Sequence, residues 1–89
     1  MRTYFIQFEK DDDSLSEMLS ILKDKGEIHQ VLDSLYCFRA EVYISTVDLR
    51  DAILECSENS RIIVFEIPGD INAAWHLTRE NSDWLKTFL

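Results

Sequence analysis

Apolar side chains recur along this chain in two rhythms, and each rhythm marks a type of element. Residues Thr3 to Glu9 carry Tyr4, Ile6 and Phe8 at even positions, with Phe5 apolar at an odd one. Such aromatic and β-branched content predicts a strand, and apolar residues on both faces suit the middle of a sheet. From Leu15 the rhythm changes. Leu15, Met18, Leu19 and Leu22 form one stripe at helical spacing, widened by Ile21. Ser14 and Glu17 have the spacing of a capping box, while Lys23 and Lys25 suit the negative end of the helix dipole. The pattern predicts a helix over Ser14 to Lys25 with Gly26 as its C′ residue.

Strand rhythm returns at Glu27 to Leu32. Asp33-Ser34 is a turn signal, and Leu35 to Ala40 reads as a third strand that could extend to Tyr43. Two strands so close must be antiparallel, because a parallel return needs a longer crossover. Thr46 is then a candidate N-cap, with Asp48 in the first turn and Leu49, Ala52, Ile53 and Cys56 on one helical face. Asn59 is an acceptable stop. Arg61 to Ile67 is the strongest strand signal in the chain, ended by Pro68-Gly69-Asp70. In the tail, Ala73 to Leu77 reads as a short strand or irregular segment. Asn81 or Ser82 is positioned to cap a final helical turn through Asp83, Trp84, Leu85 and Phe88.

The order β-α-β-β-α-β predicts an α+β fold over a single domain, residues 1–89: a ferredoxin-like βαββαβ sandwich with a short C-terminal tail of strand or helix. Right-handed crossovers place both helices on one face of an antiparallel sheet ordered 4-1-3-2. The other face is then the problem. Ile63, Phe65 and Ile67 oppose Ile62 and Val64; Leu35 and Cys37 oppose Tyr36 and Phe38; Phe5 opposes Tyr4, Ile6 and Phe8. Burying such a side chain is worth about 1.5–3 kcal/mol, too much to leave several wet. Trp75, Trp84, Leu85, Phe88 and Leu89 of the tail can cover part of that face. A second copy can cover the rest, so a homodimer is expected, with Phe5, Ile63, Phe65, Ile67 and Trp75 at its interface.

Composition narrows the function classes. A net charge of −8 repels a phosphate backbone, and the nine Lys and Arg are scattered along the sequence, which disfavours nucleic acid as a partner. No apolar run reaches membrane-spanning length, and the acidic stretch from Glu9 breaks the layout of a signal peptide. Cys37 and Cys56 lack metal-ligand spacing and read as free thiols in a reducing, cytoplasmic compartment. Glu9, Asp11, Asp12 and Asp13 form the one acidic run suited to carboxylate chemistry; the simpler reading is a solvated loop before a helix. His29 on an edge strand is expected to be exposed, and His76 beside Trp75 to pack in the tail. Ser34 reads as a turn residue, since no base for it is evident. Trp75 and Trp84 read as hydrophobic anchors rather than platforms for stacking bases.

The segments Leu32-Asp33-Ser34, Leu49-Arg50-Asp51, Arg61-Ile62-Ile63-Val64, Ala73-Ala74-Trp75 and Ser82-Asp83-Trp84-Leu85-Lys86 resemble small bacterial proteins of the SinR family. Those are similar in turn to the ferredoxin-like adaptation subunit of CRISPR systems and to virulence-associated protein D. The resemblance implies the same fold and pairing of sheet faces in a dimer, with a C-terminal strand joining the partner's sheet in some relatives. It also implies a metal site in nuclease members, where two aspartates from the ends of the first strands meet and hold Mg²⁺. The matching position here is Glu9, the candidate catalytic and metal-binding residue. Its longer side chain displaces the carboxylate oxygens from that geometry. The aromatic before it is Phe8, without a hydroxyl.

Three readings follow. The favoured one is a small acidic homodimer, regulatory or structural, that acts through contacts with an unidentified protein partner and does no catalysis. The alternatives are a Mg²⁺-dependent endonuclease of toxin or CRISPR-adaptation type acting through Glu9, and a non-catalytic scaffold on nucleic acid. An acidic surface could also imitate nucleic acid in a partner's basic groove.

Overall fold

The computed structural model describes residues 2–9, 15–56, 61–69 and 73–88, apart from the side chains of Leu15 and Phe88. Strand β1 (Arg2–Phe8) lies inside a four-stranded sheet ordered β2-β3-β1-β4, with β2 at Gly26–Leu32, β3 at Leu35–Ala40 and β4 at Ile62–Ile67. Read from the other edge, this is the expected 4-1-3-2, and every neighbouring pair is antiparallel. Helices α1 (Leu15–Lys25) and α2 (Thr46–Cys56) follow β1 and β3, and a third helix, α3 (Arg79–Phe88), ends the described chain. Ser14, Asp11 to Asp13, Asn59 and Asp70 lie outside the described residues.

The core forms where the even positions of β1 meet the two crossover helices. Tyr4, Ile6 and Phe8 pack with Tyr36, Phe38 and Ala40 of β3, Met18 and Leu22 of α1, and Leu49 and Ile53 of α2. Register brings Tyr4 opposite Phe38 and Ile6 opposite Tyr36. The rings of Phe8 and Tyr36 stack diagonally across the two strands, 5.4 Å between centroids. The Tyr4 side chain is fully buried in this layer, hydroxyl included. It donates to the Ile44 carbonyl at 2.6 Å and accepts the Ile44 N–H at 3.1 Å, which ties the segment between β3 and α2 to the sheet.

A cap, a glycine and a strand end differ from the sequence expectation. Ser45, not Thr46, caps α2: its Oγ accepts the Asp48 N–H and its carbonyl accepts the Leu49 N–H. Gly26 is not a helix cap. It opens β2 opposite Ala40, its φ is not positive, and a Cβ there would run into the Arg39 carbonyl oxygen. Close approach of two strands, rather than a left-handed turn, is what requires glycine. β3 stops at Ala40, short of Tyr43, whose exposed ring carries the Arg2 guanidinium 4.9 Å above it.

The tail departs most. Residues 73–78 hold no regular structure, and the expected single helical turn is a ten-residue helix starting at Arg79. Thr78 caps it, accepting the Asn81 N–H at its hydroxyl and the Ser82 N–H at its carbonyl. The helix lies on the second face of the sheet. Leu85 packs there with Val31 and Cys37, and Phe5, Trp75, Leu77 and Trp84 border that cluster.

Candidate functional site

The second face is divided. Over β2 and β3 it is roofed by α3, and the attachment is specific. The His29 ring stacks on Trp84, 4.6 Å between centroids and 13° between planes. Its Nε2 lies 2.6 Å from Asn81 Oδ1, while Asn81 Nδ2 donates to the Val31 carbonyl at 3.1 Å. Because that amide gives its N–H to Val31, its oxygen faces His29, and Nε2 must carry the proton. Trp75 Nε1–H donates to Ser82 Oγ at 3.0 Å, which ties the irregular segment to the same helix. His29 is therefore half-buried and held, not exposed as its edge-strand position suggested. His76 is exposed rather than packed.

Over β1 and β4 the same face is open. Ile63 is 49% and Phe65 53% exposed, and Phe5 and Ile67 are half-buried beside them. Phe5 pairs with Phe65, Gln7 with Ile63 and Thr3 with Ile67, so these side chains form one patch. Of the interface residues expected from sequence, Phe5, Ile63, Phe65 and Ile67 come together here. Trp75 is half-buried and, like one side of Phe5, packs against the roofed cluster.

Glu9 follows β1 at the end of the sheet. Its N–H donates to the Arg61 carbonyl at 3.0 Å, and its carboxylate lies 3.6 Å from the Arg61 guanidinium with the side chain 68% exposed. A solvated ion pair of this kind contributes well under 1 kcal/mol. No group of three or more His, Cys, Asp or Glu suited to a metal ion occurs among the described residues, and Asp11 to Asp13 are outside them. Ser34 sits in the β2–β3 turn, where its carbonyl accepts the Phe8 N–H. It borders an open groove of about 920 Å³ shared with Gln7, His29, Leu35, Thr78 and Asn81. His29 Nε2 is committed to Asn81 and is not offered to that hydroxyl.

Both thiols are free. Burial pushes Cys37, beneath α3, up to about 12. Cys56 at the end of α2 is raised by burial and by the charges of Glu17 and Glu55. Neither is a thiolate near neutral pH, so neither is an activated nucleophile. No described helix is long and apolar enough to cross a membrane. The open patch was legible in the alternation of β4, but the His29–Asn81 bond was not, since it joins residues 52 apart. Comparison with protein-family models, curated proteins and solved structures finds no match to this chain.

Proposed function

We propose that this chain is a small acidic homodimer that acts through protein contacts, in a regulatory or structural role and without catalysis. The finer form of its architecture, in this reading, is a ferredoxin-like sandwich of the SinR-family kind, with α3 as a C-terminal addition. The observation that carries the proposal is the open half of the second sheet face: Ile63 and Phe65 are each about half exposed, in a chain that roofs the rest of that face with its own helix. A contiguous apolar patch on one sheet face is the mark of an interaction site. The −8 charge keeps the outer surface soluble and weakens attraction to a phosphate backbone. The solvated pairing of Glu9 with Arg61 supports a structural reading of this position.

Sedimentation equilibrium tests the reading. The native chain is expected at the mass of two copies at micromolar concentration, and Phe65→Lys at the mass of one. Incubating the protein with labelled RNA and DNA in Mg²⁺ or Mn²⁺ is expected to give no cleavage. Cleavage lost in Glu9→Gln would replace this reading with the nuclease one.

A further inference from the structure

The homodimer reading leaves open how two copies meet, and β4 carries an answer. Among the described residues β4 hydrogen-bonds to β1 alone, so its other side is a sheet edge. Arg61 directs its carbonyl at β1, to Glu9. In an antiparallel ladder the direction alternates, so Ile63, Phe65 and Ile67 also turn their backbone groups inward. Ile62, Val64 and Glu66 turn theirs outward. An edge of this kind is normally blunted by lysine, proline or a bulge. The run Ile62–Ile67 contains none, and its one charge, Glu66, is tied to Arg2 at 3.0 Å.

We propose that two copies pair edge to edge, β4 antiparallel to the partner's β4, with the two-fold axis at Val64. This rests on the homodimer reading and fixes its geometry: the two open strips join side by side, so Ile63 and Phe65 gain apolar neighbours across the seam while the face above them stays open. In this register Val64 faces its own copy and Ile62 faces Glu66 across the axis, so every outward backbone group of β4 gains a mate. Ile63 and Phe65 face each other in a non-hydrogen-bonded pair, where side chains approach most closely. The pairing ends at Arg61 opposite Ile67 and keeps Pro68, which has no N–H to give, outside the ladder. An axis at Phe65 would draw Pro68 in, and one at Glu66 would set two carboxylates opposite each other. Stacking the open faces instead would set the exposed Arg79, Glu80, Asp83 and Lys86 of α3 against the partner's face. Edge pairing also joins a strip with a single charge per copy and keeps the remaining charge apart.

Disulfide trapping tests the register. Two variants, Ile63→Cys and Phe65→Cys, are made in a Cys56→Ser chain that keeps the buried Cys37. In a non-hydrogen-bonded pair the Cα atoms are about 4.5 Å apart, within the roughly 4.4–6.8 Å that a disulfide spans. Mixing the two variants under mild oxidation is expected to yield mostly the mixed covalent dimer, and each variant alone mostly the uncrosslinked chain. Crosslinking of either variant to itself, or sedimentation at the mass of two without any crosslink, would overturn the edge register and leave the homodimer standing. Sedimentation at the mass of one chain would overturn both.

Discussion

At the scale of single residues, three positions carry consequences that burial and geometry settle. Gly26→Ala would force β2 away from the Arg39 carbonyl, and a loss of roughly 1–3 kcal/mol is expected in urea unfolding. Tyr4→Phe would leave the N–H and carbonyl of Ile44 without their partner. Denaturant titration should show a cost of about 1–3 kcal/mol. Cys37 makes a pH prediction. Its thiol ordinarily titrates near 9.0, but burial raises it to about 12 in the folded chain. Between those values the unfolded chain gives up a proton that the folded chain keeps, so this group's contribution to stability falls as pH rises, by up to about 1.4 kcal/mol per unit. Unfolding free energy measured from pH 9 upward should decline less steeply in Cys37→Ala than in the native chain. The sequence misdirects at Gly26 because a Lys-Gly pair after an apolar stripe is a helix-stop signal. The real constraint comes from a backbone oxygen 13 residues further on.

Among the elements, the strands were the most legible, and the reason lies in β1 and β4. Their alternation is dense and bounded by polar residues or proline, so their limits fall within a residue of expectation. Helix α3 was half hidden, because its first half is polar and its apolar residues Trp84, Leu85 and Phe88 all fall in its second half. Thr78 and Glu80 were the available signal for its start. The attachment of α3 depends on cross-chain bonds: Asn81→Ala removes the partners of both His29 and the Val31 carbonyl. Amide hydrogen exchange in that variant is expected to quicken over residues 79–88, with β1 and β3 staying protected. The bond also dictates that neutral His29 carries its proton on Nε2, a form that nitrogen chemical shifts distinguish by NMR.

The whole molecule is a sheet with one finished face and one half-finished face. Helices α1 and α2 close the first; α3 roofs the second only over β2 and β3. If a second copy completes the β4 side, thermal stability must depend on protein concentration, because association draws only on the folded form. Calorimetry over a hundredfold dilution is expected to lower the melting temperature of the native chain, while Phe65→Lys, already apart, should melt at a fixed temperature. Phe65→Lys should also weaken association by about a hundredfold or more, equivalent to ~2.8 kcal/mol. The position of β1 has one more consequence. It leaves the ribosome before β3 and β4, yet Arg2 pairs with Ala40 and Thr3 with Ile67. Its aromatic side chains must therefore wait, unpaired, until those two strands have been made. Contacts so distant along the chain slow folding and prolong exposure to aggregation, so the greasy nascent segment is where a chaperone would first take hold.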